Sequence, residues 1–508
     1  MSLDLGINVI EVDGNVAPSV QAAPTSNAGF VIRSERGVPG TVRRITSWRK
    51  FERSFGGYLK DAYGAYCIKG YFDNGGTVAF VTRVVSDDNG AQAASWAPED
   101  ESGLTVRAGR RGGEDPGAWG DALSVRVTRD DGGEGDGEGD DGEVVFTIEV
   151  MQGDDVVEVW GGLSVDGDPD PPARNVVEVI NDETSGSEYV VVELDDGASA
   201  PRNTVDADGD PAFAALEGGA DPEPDDDDYI AAFDRFETKA IQLLCCPEST
   251  TQDVVVAGID HCEIRGDAMY VGHSIKGEDA SQARDYGQLF QATKRYGALY
   301  FPWLKVSDPI GTRKLIPPTG HVLGVYARTA RQRGVWKAPA GSSALVRGAL
   351  DVEHHITDAT HTDLVKNGSV NAVRFMEGEG IVVDSSRTLS TSPLWLYVNI
   401  RLLFNFVKSS LEDGLRWVVQ EPNNEELWNK VKYNTVTPFL MGLWSRGAFG
   451  PGSPDEVFTV KCDDDTNSPE DIQQGRFNIE VYFYPSRPAE TILLTVGQQE
   501  GGASSSES

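Results

Sequence analysis

Between residues 87 and 228 the chain changes character so sharply that one continuous core cannot include it. Gly, Asp and Glu dominate there, and short β-branched runs at 144–150, 156–160, 176–180 and 189–194 stand between clusters of turn formers. Short strands punctuated in this way predict an inserted all-β domain. Within it, 130–142 is almost wholly Gly and acid, which offers nothing to bury and predicts a solvated loop. With 508 residues in all, two to four domains are expected.

The flanks of this block read as mixed α and β structure. Upstream, Leu5, Ile7, Val9, Ile10 and Val12 mark an extended arm or edge strand. Strands at 28–33 and 77–85 and helices at 47–55 and 62–72 then make a small α/β unit. Downstream, a helix at 229–237, a buried strand at 240–245, a helix at 280–296 and a strand at 297–300 predict a layered sheet with helices on its faces. Ser392-Pro393 is placed to open a helix, with Trp395, Val398, Leu402 and Phe406 at helical spacing. A further helix after Asn424 is expected to break or kink at Pro438. Phe477, Ile479, Val481 and Phe483 alternate with polar residues or tyrosines as a half-buried strand. A final strand over 490–496 follows, including Ile492, Leu493, Leu494 and Val496, and a polar tail ends the chain.

The formal net charge is −37, with 81 acids against 44 bases. Such a surface disfavours direct nucleic-acid binding, which relies on Lys and Arg neutralising phosphates, and a bare anionic membrane is an equally poor partner. No positively charged start followed by an apolar stretch, and no run long enough to span a bilayer, predicts membrane insertion; residence in the cytoplasm during assembly is expected. In molar salt the screening length falls to about 3 Å, so the self-repulsion of this surface fits a salt-adapted protein from a hypersaline habitat.

Chemical motifs are sparse. His354, His355 and His361 form the one histidine cluster, and a polar loop is a better reading of it than a metal site. Asp166, Asp168 and Asp170, and again Asp206, Asp208 and Asp210, imitate the start of a calcium loop. Pro171 and Pro211, however, stand where that loop needs Gly. Gly272-His273-Ser274 sets a base beside a hydroxyl on opposite sides of a strand, and neither a nucleophile elbow nor a phosphate loop is present. Five cysteines, an odd set without C-x-x-C spacing, read as buried thiols. No catalytic, cofactor-binding or metal-binding residue is predicted, and no enzyme activity.

The second half carries a series of blocks in order. These are Tyr296-Gly-Ala-Leu-Tyr-Phe-Pro-Trp303, Pro317-Pro-Thr-Gly-His-Val-Leu-Gly-Val-Tyr-Ala-Arg328, Arg333-Gly-Val-Trp-Lys-Ala-Pro-Ala340, Arg387-Thr-Leu389 and Tyr397-Val-Asn-Ile-Arg401. Glu421-Pro-Asn423, Val460-Lys-Cys-Asp-Asp-Asp-Thr-Asn467 and Pro485-Ser-Arg-Pro-Ala-Glu490 follow. Together with Pro116-Gly-Ala-Trp-Gly-Asp-Ala-Leu-Ser-Val125, they resemble the contractile tail sheath family. The likeness departs at the arm, which lacks the family's Pro-Gly opening, and in the extreme acidity of the insertion.

That resemblance implies an α+β and α/β multidomain fold: an arm at 1–20, core segments at 21–88 and 354–496, a β-rich protrusion at 89–223, a subtilisin-like but non-catalytic middle domain at 224–353, and a tail at 497–508. It implies a subunit of stacked hexameric rings around an inner tail tube, contracting to drive the tube through a cell envelope during genome delivery. The implied partners are other copies of the chain, the tube protein, and baseplate and terminator proteins, in a virion tail. The implied links between subunits are the arm residues named above and those of 491–496. Surfaces facing the tube are sought around Arg401, Lys408 and Arg416 and around Asp463, Asp464, Asp471 and Arg476. A sheath of a headless injection particle or tailocin is the near alternative; a hydrolase using the middle domain and an acidic surface adhesin are remote ones.

Overall fold

Apolar runs too continuous for half-solvated strands set the centre of the molecule. In the computed structural model, which describes residues 20–86, 90–100, 102–129, 144–166, 174–291 and 295–490, eight strands form one sheet. They are Ala28–Ile32 (β1), Val42–Ile45 (β2), Ala79–Arg83 (β3), Leu243–Cys245 (β4), Met269–His273 (β5), Gly297–Phe301 (β6), Val370–Met376 (β7) and Gly380–Val383 (β8). Every residue of β1, β4, β5 and β6 is buried. The order is β2-β3-β1-β4-β5-β6-β7-β8. Neighbours from β3 to β7 are parallel, while β2 and β8 pair antiparallel at the two edges.

Alternation along β1 sends Phe30 and Ile32 to one face and Val31 to the other, and both faces are covered. On the first face lie helices Trp48–Phe55, Gly64–Asp73, Thr319–Arg333 and Val398–Gly414. On the second lie Asp226–Asp234, Gln252–Arg265 and Ala280–Gln288. Helices Gly64–Asp73 and Thr319–Arg333 cross at close range because two glycines permit it. A Cβ on Gly320 would sit 2.1 Å from the Cys67 carbonyl oxygen, and one on Gly324 would sit 2.6 Å from that of Tyr71.

This arrangement departs from the expected partition. Residues 28–83 do not stand apart from the middle of the chain, because β1 lies between β3 and β4; nor does the sheet stop at 353, because β7 and β8 complete it. Parallel neighbours require long crossovers in any case, so an entire β domain can occupy the connection from β3 to β4 without disturbing the sheet.

That domain has two sheets of its own. Five strands, Arg174–Asn175, Asp155–Ser164, Phe146–Gln152, Leu123–Arg129 and Ala214–Ala215, lie side by side in that order. The other sheet carries Val190–Leu194, Leu104–Arg110 and Ser95–Trp96. Phe146, Ile148 and Val150 alternate inward against Leu123, Val125 and Val127. The run 176–180, expected as a strand, is a short helix, Val176–Ile180. Asn175 Oδ1 accepts from the amides of Val177 and Glu178, and this cap outweighs β-branched propensity. Arg83, fully buried at the end of β3, joins the insertion to the sheet. Its Nη1 lies 2.5 Å from Asp115 and its Nη2 lies 2.7 Å from Asp221.

Two helix expectations change in the C-terminal part. Ser392-Pro393 forms a turn, not a helix start, since Thr388 Oγ1 donates to the Trp395 carbonyl and Arg387 bridges Tyr397; the helix opens at Val398. Pro438 neither ends nor isolates its helix. It stands in the first turn of Thr437–Ser445, after a π-helical stretch, Lys430–Val436, that continues from Glu425–Asn429. All five cysteines are free and buried.

Candidate assembly surfaces

The segment expected as a strand over 477–483 is shorter in the structure, because Asn467 captures its beginning. The amide of Asn478 donates to Asn467 Oδ1 at 2.7 Å, and Asn467 Nδ2 returns a bond to the Asn478 carbonyl at 3.0 Å. What remains, Glu480–Phe483, pairs antiparallel with Phe458–Lys461 in a sheet of two strands. Its inner side is anchored by Phe483, which stacks on Phe404 with ring centroids 4.2 Å apart and meets Phe449 at 5.3 Å. On the outer side Tyr482 is 57% exposed and Tyr484 50%. A two-stranded ribbon is marginal alone, and among the described residues no third strand joins it.

Directly after this ribbon, 485–490 straps across the start of helix Val398–Gly414. Asn399 Nδ2 donates to the carbonyls of Trp336 and Ser486. Arg387 then grips Glu490 with two parallel bonds, Nε to Oε1 at 2.8 Å and Nη2 to Oε2 at 2.5 Å. Burial works to raise the Glu490 carboxyl, but the contacts of Arg387 and Tyr397 outweigh it and its pKa lies below the ordinary value. Beside this clamp opens a polar groove of about 530 Å³, into which His361, Asp384 and Tyr397 face. Asp384 of this lining is held by Arg374, which donates to it at 2.7 Å and to Asp358 at 2.6 Å.

The expected arm residues, Leu5, Ile7, Val9, Ile10, Val12, Ile492, Leu493, Leu494 and Val496, lie outside the described residues. Of the expected tube-facing positions, Arg401 is corrected. It is 3% exposed and lies between the rings of Tyr296 and Trp395, 4.4 and 4.3 Å from their centroids, with Nε on Asn405. Desolvation lowers its pKa to about 10. Its charge serves the interior because the apolar stripe of its helix is wider than periodicity indicated. Lys408 is exposed but donates to the Gly266 carbonyl, and Arg416 is paired with Asp413 at 3.1 Å. Asp463 lies 3.7 Å from Lys432, the Asp471 carboxylate accepts from the hydroxyl of Ser468, which caps the helix Pro469–Gln473, and Asp464 and Arg476 are exposed.

The histidines do not converge on a common point. His354 stacks on Phe301, His355 Nε2 sits 3.1 Å from Asp351, and His361 Nδ1 sits 3.4 Å from Asp384. Among the described residues no His, Cys, Asp and Glu group has metal-holding geometry, and no helix is long and apolar enough to cross a membrane. His273 and Ser274 are both buried, and neither His273 Nδ1 nor Ser274 Oγ has a hydrogen-bond partner, so they are not coupled as base and nucleophile. Sequence reasoning quoted Arg387 and Glu490 in separate blocks without seeing that they meet; only the fold joins residues 103 apart.

Comparison with known proteins adds relatives to this geometry. Residues 223–389 match the family described as phage tail sheath protein central domain, and 390–499 match the phage tail sheath C-terminal domain. A tail sheath protein of Salmonella phage ViI is 25% identical over 197 residues, 38% of this chain and 30% of that protein. A putative prophage major tail sheath protein of Pseudomonas aeruginosa (strain UCBPP-PA14) is 23% identical over 258 residues, 49% of this chain and 62% of that protein. The matches thus span less than two thirds of these relatives. Among solved structures, the helical sheath of the anti-feeding prophage in its contracted state aligns with a TM-score of 0.58 at 20% identity, covering 98% of this chain and 100% of that one. A sheath tail protein of Listeria innocua aligns with a TM-score of 0.63 at 12% identity, covering 92% and 96%. The mixed α/β fold is therefore that of sheath proteins, and with the two family matches together taking in more than half of its residues, the chain belongs to the phage tail sheath family.

Proposed function

We propose that the chain polymerises as stacked hexameric rings around an inner tube and contracts to drive that tube through a cell envelope. The observation that carries this reading is the unfinished ribbon of Phe458–Lys461 and Glu480–Phe483, which has an anchored inner face and unfilled edges. Strands from neighbouring copies would complete it with backbone hydrogen bonds, leaving the larger bodies free to rotate while staying tied. The donors are the arm residues around 5–12 and 491–496, and the Arg387–Glu490 clamp directly before the second of these supports the reading.

Contraction is then the relaxation of an extended lattice into one burying more surface between copies. The inner tube, the baseplate and the terminator are the further partners, and the tube-facing surface is sought among Lys408, Arg416, Asp464 and Arg476, which are exposed. The particle is a virion tail or an extracellular injection device; the likeness to the sheath of an extracellular contractile injection system in its contracted state, with a TM-score of 0.58, supports the second as a near alternative. The acidic insertion serves as an outer, salt-tuned surface.

Electron microscopy of the purified chain tests this reading: tubes or ring stacks are expected at high salt. Deletion of 1–13 or of 491–508 should leave folded monomers without long order. Ordered tubes from either deletion would refute the strand-exchange reading.

A further inference from the structure

One surface contradicts the charge of the whole chain. A groove of about 800 Å³ runs along the seam between the edge strand β2, the following helix Trp48–Phe55 and the insertion domain. Arg43, Arg44, Arg49, Lys50 and Arg53 line it from the sheet side, and none of the five has an ion-pair partner among the described residues. Arg44, Arg49, Lys50 and Arg53 are exposed. The insertion contributes Arg110 and Arg111, and a single carboxylate, Glu188, serves both of them. The Nε atoms of Arg43, Arg110 and Arg111 are buried without a hydrogen-bond partner. Burial and the nearness of Arg110 and Arg111 lower the Arg43 pKa, so the groove is short of negative charge.

In a chain of net charge −37 such a concentration of unpaired cations calls for an anionic occupant, and copies of this chain are the most abundant acidic surface it meets in a polymer. The densest acid run is 130–143, with eight carboxylates in fourteen residues and no base. Its sequence Glu134-Gly-Asp136-Gly-Glu138-Gly-Asp140 sets a carboxylate at every second residue, with glycine between. β2 terminates the sheet, so an extended partner can approach along its length. We propose that this groove is an interface between copies, taking the acidic 130–143 run of a second copy and clamping that copy's insertion domain to the core–insertion seam of the first. The inference rests on the assembly reading above and specifies one of its contacts.

The test uses three variants of the full chain. The first reverses the groove on its exposed helix, R49E/K50E/R53E. The second reverses the acid run, D131K/D136K/E138K/D140K. The third combines both sets. Tubes are assembled at high salt and quantified by sedimentation and microscopy as the salt is lowered to about 0.15 M, where the screening length is about 8 Å. Each single set is expected to cut the polymer fraction by about tenfold or more, with unchanged circular dichroism. An equimolar mixture of the first two should co-assemble, because each then meets an opposite charge on its neighbour. Unimpaired assembly of the first set, or rescue in the third variant but not in the mixture, would overturn the proposal; the latter result would place the run in the groove of its own copy. Failure of the unmodified chain to polymerise at high salt would instead count against the assembly reading itself.

Discussion

Arg83 offers the sharpest test of how the insertion is held. Its side chain is 0% exposed and carries a full charge between Asp115 and Asp221, at 2.5 and 2.7 Å, with the Gly37 carbonyl 3.3 Å away. Asp115, also nearly enclosed, accepts the amide of Gly37 at 2.6 Å. Removing one member of a buried pair strands the other, and R83M should cost about 3–5 kcal/mol at neutral pH. The pH dependence has a definite sign. Burial raises the Asp115 pKa above its ordinary value even with Arg83 present, and loss of the cation raises it further. A carboxyl whose folded pKa is raised favours the folded state at low pH and loses that contribution as pH rises through the folded pKa. The R83M penalty should therefore be full at pH 8 and shrink toward pH 5, as Asp115 takes up a proton. The double variant R83M/D115N should recover most of the loss. Urea unfolding followed by tryptophan emission suits the measurement, because Trp119 Nε1 donates to the Asp115 carbonyl and reports on the joint. A penalty below about 1 kcal/mol, or one that is flat from pH 5 to 8, would refute the argument.

Three further outcomes follow from particular contacts. The enclosed Glu248 carboxylate accepts the amides of Tyr63 and Gly64 at 3.0 and 2.7 Å, yet desolvation lifts its pKa to about 7. The wild-type chain should therefore lose stability as pH rises from about 5 to 8, and E248Q should remove that slope in melting experiments. R387A should free 485–490, seen as faster proteolysis after Arg487 with the core melting temperature nearly unchanged, and polymer length should drop. F404A removes the ring under Phe483 and should cost about 2–4 kcal/mol, with faster hydrogen exchange concentrated in Phe458–Lys461 and Glu480–Phe483; uniform exchange would contradict the anchoring role.

The apolar runs of the strands were legible because burial on both faces leaves a continuous signal. Ala28–Ile32 and Leu243–Cys245 stand within the expected windows, and Gly297–Phe301 runs one residue past its own. Their pairing was not legible. That β1 lies beside β4 depends on register between segments 215 residues apart, and periodicity holds no information on partners. Local competition explains other departures: Asn175 turned a β-branched run into a helix, and Thr388 held Trp395 out of one. Arg401 shows the limit for sites. A cation at helical spacing reads as surface, yet three aromatic rings make an interior place for it. The blocks around Tyr296, Pro317 and Glu490 carried the family signal because packing needs, such as the close approach at Gly320 and the Arg387 clamp, restrict those residues.

The strand order of the central sheet also sets a schedule for synthesis. β1 and β3 leave the ribosome early, but β1 cannot gain its second neighbour until β4 has emerged, and the sheet is not complete until β8. The insertion domain, whose strands lie within 95–215, can close meanwhile. High contact order makes the sheet the slow step, and the ribbon of Phe458–Lys461 and Glu480–Phe483 docks only after Phe483 has been made. On the strand-exchange proposal, a nascent chain would offer no finished acceptor to its neighbours on the polysome, and polymerisation would wait for a released, folded subunit.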